Sequence, residues 1–559
     1  MKHAVLILTL ACCCASLSAQ EQLSAILLLT GETDAESLDD TVLERFEAWE
    51  ARPLDLNRSS RERLSASGLL SPFQVASLWD YRARHGDILS YTELGLLDGF
   101  GPDVAAALRP FTCLSASGLP GHGPVHTLRQ RVQSQGSFAS GRWQAGGKYR
   151  IWAGETVQAG LAFRRNTAAT CQLSAFGQLR HRNWQLLVGD FHARFGQGLA
   201  LWSGFTMAGL ATPAGFARRP TGLSPTWSYG ETSLRGVAAQ AHPGPWRFSA
   251  LLAMPGVRAL QQITETPEYH LLGAIHTEWT GRYGSLGVTA LWEGGGKRQG
   301  KLSWDGRCCI RGVDLFAEAA WDFVHRSVAG VAGISWQQED WMISGGVRHY
   351  PTAYSAAWSG AVRSASKVSD EQGAALGLGW KRCTLTADYA RRLSSGQRSW
   401  KITVCGAWDL LPCLQWRIRL AGRLRNAAPS HRTDLRSDLL WSHDAWRANL
   451  RLNAVFSRRY GLLGYLEAGR QQEGFSLWLR GTLFRADHWD DRIYCYERDI
   501  PGLFHVPAYH GRGYSLSLTG SGSRGFARWR LKAAARTALT RSSGAAARGE
   551  FSLLLQADF

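Results

Sequence analysis

Trp446-Arg447-Ala448-Asn449-Leu450-Arg451-Leu452-Asn453-Ala454-Val455-Phe456 is the stretch that decides the fold. Trp446, Ala448, Leu450, Leu452, Ala454 and Phe456 share one parity; Arg447, Asn449, Arg451 and Asn453 share the other. Side chains alternate faces along a strand, so this segment has an apolar face and a basic face. The pattern recurs. In 414–424, Leu414, Trp416, Ile418, Leu420 and Leu424 oppose Gln415, Arg417, Arg419 and Arg423. In 526–536, Trp529, Leu531 and Ala533 oppose Arg528, Arg530 and Lys532. In 551–559, Phe551, Leu553, Leu555, Ala557 and Phe559 oppose Ser552, Gln556 and Asp558.

A soluble sandwich would alternate as well. Two details favour a membrane barrel. The segments run about ten residues, the length of a tilted membrane crossing. Trp400, Trp408, Trp441 and Tyr460 stand near segment ends, where interfacial girdles belong. Charged residues make up 19% of the 559 residues and mean hydropathy is −0.19. No run of about 18 apolar residues follows the N-terminus, so spanning helices are not expected. A closed barrel is the other way to satisfy backbone polar groups in lipid. The expected fold is mainly β: a large antiparallel transmembrane barrel of roughly 22–26 strands over 125–559. The longest break, 192–229, is rich in Gly, Pro and Thr and reads as an external loop or an inward fold.

The chain ahead of the barrel has a helical period. Residues 1–19 read as a signal peptide: a basic start at Lys2-His3, apolar Ala4–Ala15, and small residues before Gln20. Cys12, Cys13 and Cys14 invite a lipoprotein reading, which the poor lipobox Thr9-Leu10-Ala11 disfavours. Residues 20–52 form an acidic, partly helical segment, 53–113 a small all-α domain, and 114–124 a linker. Eight cysteines follow the leader, without a CxxC, so no zinc site, other metal or cofactor is expected. Cys405 and Cys413 flank a turn and are candidates to face each other; the alternative is that the cysteines fill space on strands.

Charge divides the chain. Residues 21–113 carry 16 acidic and 8 basic side chains, a net −8. Residues 114–559 carry 54 basic and 29 acidic, a net +25. A charge on the lipid face costs about 2–4 kcal/mol near the midplane. Arg417, Arg419, Arg447, Arg451, Arg528, Arg530 and Lys532 are therefore expected to line the lumen, where they would attract anions.

Phe551, Leu553, Leu555 and Phe559 resemble the terminal-strand signature of bacterial outer-membrane proteins, which implies recognition by the barrel-assembly machinery. Residues 53–112 resemble the tandem helix-hairpin-helix domain of competence-type proteins. The match runs through Leu54-Asp55-Leu56-Asn57, Tyr81-Arg82, Gly86 and Leu97-Asp98-Gly99-Phe100-Gly101-Pro102. That resemblance implies nucleic-acid binding through Gly99, Phe100, Gly101, Arg82 and Arg84. The first hairpin departs from it: Gly68-Leu69-Leu70-Ser71 lacks the second glycine. The charge departs too, with 6 basic and 7 acidic side chains over 53–112, whereas DNA affinity rests on a cationic surface. As a whole the chain resembles a group of Bacteroidota outer-membrane proteins with a periplasmic helix-hairpin-helix domain before the barrel. Gly189-Asp190-Phe191, the run Phe195–Phe205, Arg492-Ile493-Tyr494, and Phe504–Tyr509 with Gly511-Arg512-Gly513 carry that likeness.

No catalytic constellation stands out, and no enzyme is expected. Asp490, Asp491, Glu497 and Asp499 near His505 and His510 form the densest polar group and read as loop or lumen residues. Three functions remain. The first is a conduit or assembly component for anionic cargo in the outer membrane, its N-terminal domain periplasmic. The second is a DNA-uptake receptor. The third is a non-transporting scaffold whose acidic N-terminal domain plugs the barrel or docks a periplasmic protein partner. Expected surroundings are membrane lipid, lipopolysaccharide, the barrel-assembly machinery, and DNA or another polyanion.

Overall fold

Alternating strands with one lipid-facing side have no stable open edge in a membrane, so the sheet must close on itself. In the computed structural model it does, as a 24-strand antiparallel barrel. The structure describes residues 19–559 except 33–34, 39, 116–124, 137–141, 155, 166–170, 182, 205, 207–208, 228–232, 255–270, 295–298, 311, 339, 356, 428–429, 473, 504, 527–528 and 544–545. Residues 1–18 of the signal peptide, most of the linker and Arg528 lie outside the described residues. Among the described residues no helix is long and apolar enough to cross a membrane.

The parity read from the sequence holds. Leu450, Leu452 and Phe456 are exposed on the outer face, while Asn449, Arg451 and Asn453 are buried inside. Leu420, Leu424, Leu531 and Leu555 also face outward, and Ser552, Gln556 and Arg536 inward. Tryptophans ring both ends. Trp246, Trp279, Trp341, Trp380, Trp408, Trp441, Trp446 and Trp529 are exposed near short turns such as 281–283, 381–382 and 444–445. Trp292, Trp321, Trp400 and Tyr460 are exposed near the opposite end.

The last strand, Arg548–Asp558, pairs antiparallel with the first, Val125–Gly136, from Gly549↔Gly136 to Asp558↔Thr127. Phe559 N–H donates to the His126 carbonyl (3.0 Å), and His126 N–H donates back to the Phe559 carbonyl (2.8 Å). The Phe559 ring stacks on Trp529 at 4.3 Å and on His126 at 5.0 Å. The seam is thus fastened by backbone bonds and by aromatic contacts at the short-turn end.

Among the described residues, three connections of the other end fold inward, within 192–229, 351–370 and 487–510. Phe195, Leu199, Ala200 and Leu201 are fully buried against the inner wall, which settles 192–229 as an inward fold over its described part. The inward-facing Glu318 carboxylate accepts from the backbone N–H groups of Gln197 (2.7 Å), Leu199 (3.1 Å) and Ala200 (3.2 Å). Gly196 (φ +56) and Gly198 (φ +85) provide the left-handed backbone this cradle needs. At Gly196 an added Cβ would sit 2.8 Å from Glu318. Residues 354–361 lock the loop: Tyr354 Oη donates to the Leu199 carbonyl (2.9 Å) and Trp202 N–H to that of Trp358 (2.7 Å). The third inward connection spans 487–510, where Ile493–Tyr494 pairs with Ala508–Tyr509.

The N-terminal part has its own core. Helices Ala19–Thr30, Asp40–Ala51, Arg61–Ala66, Pro72–His85, Tyr91–Leu94 and Gly101–Leu108 bury Leu29, Phe46, Leu64, Leu78, Phe100 and Leu108 together. The part is not purely α: Leu54–Asp55 and Thr112–Cys113 pair as short parallel strands and close it. Ser60, Ser71 and Ser90 cap three of the helices, and Ser71 forms a full capping box with Gln74.

Of the two readings of the cysteines, the facing pair fails. Cys405 lies across from Arg419, while Cys413 sits in the turn between those strands, so the two do not meet. None of the eight cysteines after the leader is in a disulfide.

Replacing Phe559 by Ala removes both ring contacts at the seam, each worth about 1 kcal/mol beyond burial. The F559A protein is expected to unfold at a lower temperature in heat-modifiability gels than the parent chain.

Candidate functional site

The helical part sits at the short-turn end, where its acidic side chains meet basic side chains of the barrel. Glu36, in a 3-10 turn at Ala35–Ser37, reaches deepest. Its Oε1 accepts from Arg451 Nη1 (3.0 Å) and from the Tyr496 backbone N–H (2.9 Å), and its Oε2 from Arg436 Nη1 (3.3 Å). Asp438 holds the same two arginines from the wall, at 2.7 Å to Arg436 Nε and 2.5 Å to Arg451 Nε. One carboxylate from the helical part, one from the wall and one backbone donor of the 487–510 loop therefore share two arginines. Burial by itself would raise the Glu36 carboxyl; Arg436 and Arg451 outweigh it and hold the group at about 2.

Two more carboxylates come from the helix Asp40–Ala51. Glu44 and Glu47 are three apart, so they share one helix face. Glu44 pairs with Lys148, and Glu47 with Arg129 at 2.9 Å. Burial opposes ionisation of Glu47, but Arg129, Lys148 and Lys532 together lower its pKa. At the rim Asp80 meets Arg282 (3.2 Å) and Asp103 meets Arg382 (3.6 Å). Backbone groups add to the contact. Arg52 Nη1 donates to the Gly154 carbonyl (2.5 Å) and Arg61 Nη1 to that of Gly281 (3.1 Å). From the inward fold, Arg219 and Thr212 donate to the carbonyls of Leu29 and Gly31. The helical part thus meets the 192–229 fold and the 487–510 loop inside the barrel.

Of the basic side chains expected in the lumen, Arg451 is central to this cluster. Arg417 bonds Gln415 (2.5 Å), Arg419 lies 3.8 Å from Asp434, and Lys532 stands close enough to Glu47 to act on its charge. Arg447 instead folds back onto the carbonyls of Asp444 and Trp446, and Arg530 is exposed at the short-turn end. The sequence reading missed Arg436, Arg129, Lys148 and Glu36. The inward parity of Arg436 beside Asp438 was a signal for the first; nothing local marks Glu36 among its acidic neighbours.

The residues expected to bind nucleic acid make their contacts within the helical part itself. Gly99 (φ +85) gives its carbonyl to Gln74 Nε2 (2.7 Å), and Phe100 is buried in the core. Gly101 (φ +69) opens the helix Gly101–Leu108. Arg82 donates to the carbonyls of Ser59 (2.9 Å) and Asn57, and Arg84 pairs with Asp80. Asn57 clamps Ile88 from both sides, accepting from its N–H and donating to its carbonyl, each at 2.9 Å. The polar group of the 487–510 loop is also absorbed. Arg536 Nη2 meets Glu497 (2.5 Å) and its Nη1 meets Glu550 (3.0 Å) and Asp499 (3.9 Å), while Asp491 accepts from the N–H groups of Arg458 and Arg459. Among the described residues no group of three or more His, Cys, Asp or Glu is placed to hold a metal ion.

No protein-family model matches this chain, and no curated protein matches it significantly in sequence. Several solved structures align with it at low identity. OccK11 (OpdR) of Pseudomonas aeruginosa is 11% identical at a TM-score of 0.31, covering 78% of this chain and 97% of that one. OccK2 (OpdF) of the same organism, solved in complex with glucuronate, is 12% identical at 0.31, covering 78% and 98%. The E. coli P pilus tip assembly intermediate PapC-PapD-PapK-PapG is 9% identical at 0.45, covering 80% and 62%. The chain is a β-barrel of the outer-membrane type.

Proposed function

We propose that this barrel is a gated conduit for anionic cargo, and that its acidic helical part is the gate, seated from the periplasmic side. The observation that carries the reading is Glu36, held between Arg436 and Arg451 inside the barrel. Barrels of about 16–18 strands already enclose an aqueous channel, so a 24-strand wall needs an occupant if it is not to leak. The occupant here is acidic and the wall basic, and their pairing neutralises only part of the net +25 over 114–559. Moving the helical part aside would bare arginines that attract anions of low and high molecular weight. A nucleic-acid cargo would be met by this wall rather than by the hairpins, whose Arg82 and Arg84 are engaged within their own domain.

Planar-bilayer recordings test this directly. The full-length protein is expected to stay closed, and deletion of 19–113 to open an anion-preferring conductance. A deletion barrel that remains closed, or one that prefers cations, would contradict the proposal. The double substitution Glu36→Gln with Glu47→Gln keeps the helical fold and is expected to raise opening frequency.

Acid should also open the gate. A carboxyl held at about 2 in the docked state, against its ordinary 4.5, favours docking fully above pH 4.5. That contribution is lost as pH falls from about 4.5 towards about 2. Open probability is expected to climb through this window in the parent chain and to be flatter in the Glu36→Gln variant; parallel profiles would show that Glu36 is not the sensor.

A further inference from the structure

A second feature of the junction is not explained by ion pairing between the two parts. Between the helix Asp40–Ala51 and the inner wall lies a cavity of about 180 Å³. Five arginines line it, Arg45, Arg52 and Arg63 from the helical part and Arg150 and Arg180 from the wall. The one carboxylate beside them, Glu44, is engaged by Lys148. A liquid-water molecule occupies about 30 Å³, so the space suits a few waters or one small multi-oxygen anion.

Arg150 is the decisive residue. It is 6% exposed and lies on the inward parity of the strand Arg142–Ala153. Its guanidinium stacks on the Trp227 ring at 3.5 Å, and its Nε has no hydrogen-bond partner. Thr221 Oγ1 and Trp227 Nε1, on the same cavity wall, are also buried and unpartnered. Each can donate, and the arginine and indole N–H groups can only donate. A buried cation is stable when paired, and a ring face compensates only in part. Water would satisfy the donors and leave the charge of Arg150 without an ion-pair partner in the cavity.

We propose that this cavity is a binding site for a small soluble oxyanion of the phosphate class, which bridges the arginines of the helical part to those of the wall. The inference rests on the docked arrangement and adds a ligand to it: bound anion strengthens docking, because it binds the docked state better than the parted one. The site faces the barrel interior, so the source is the aqueous phase rather than a lipid headgroup.

Calorimetric titration of the full-length protein in detergent with inorganic phosphate, at fixed chloride-adjusted ionic strength, is the test. Saturable one-site binding is expected. Arg150→Gln and Trp227→Phe should each weaken it, the first by tenfold or more and the second several-fold, and Arg417→Gln, elsewhere on the inner wall, should leave it unchanged. Trp227→Phe keeps an aromatic face beside Arg150 while removing the indole N–H and the five-membered ring, so it reads the site even if Arg150→Gln fails to fold. Absence of saturable binding in the parent chain overturns the proposal. An equal loss in Arg417→Gln also overturns it, since that is diffuse attraction to a basic lumen. Binding is read without conductance, so a failed gate and a failed anion site give separate results.

Discussion

Pairing of buried charge is the constraint on which the rest depends. A carboxylate and two guanidinium groups taken out of water lose several kcal/mol each of hydration, and only close, hydrogen-bonded geometry returns it. Glu36, Arg436, Asp438 and Arg451 meet that condition, with each arginine shared between one carboxylate of the wall and one of the helical part. Removing one member of such a cluster costs about 3–5 kcal/mol, because the others are left uncompensated. The helical part is thereby fixed in one seat without a large apolar interface. Polar contacts of this kind weaken with acid and with salt, as the proposed gating requires.

The inner wall is not uniform, and its occupants follow the difference. Near Leu187, Leu251, Leu272 and Leu291 the inward side chains are apolar, and Phe195 and Leu201 of the inward fold pack there as in a dry core. Near Arg436, Arg451 and Arg480 the wall is cationic, and the 487–510 loop and Glu36 fill that side. The Glu318 cradle ties the first occupant to the wall by three backbone bonds. The two loops are fastened along the wall by apolar packing and backbone bonds, and the helical part mainly by ion pairs and polar contacts. That division places the weaker, titratable attachment on the element read here as the gate.

Parity alone made much of this legible. Alternation over 446–456 and 551–559 gives the barrel, its outward leucines and the inward position of Arg451, because the side-chain period of a strand is a local property. The split between −8 and +25 foreshadows an acidic occupant of a basic wall. What stays hidden is long-range. The choice between an external loop and an inward fold for 192–229 turns on Glu318, more than a hundred residues away. Whether Cys405 and Cys413 meet is decided by register and not by proximity to a turn, and register sets Cys405 across from Arg419. The glycines of the second hairpin were read through a likeness to nucleic-acid binders; their positive φ values and the Gln74 bond to Gly99 also serve the packing of the helical part.

Amide hydrogen exchange over 19–113 in the detergent-solubilised, full-length protein measures docking most directly. If ion pairs seat the helical part inside the barrel, amides of Asp40–Ala51 will be protected at neutral pH and low salt, and will lose protection at pH 3 while the barrel strands keep theirs. Rapid exchange of that helix at neutral pH beside a protected barrel would contradict the account.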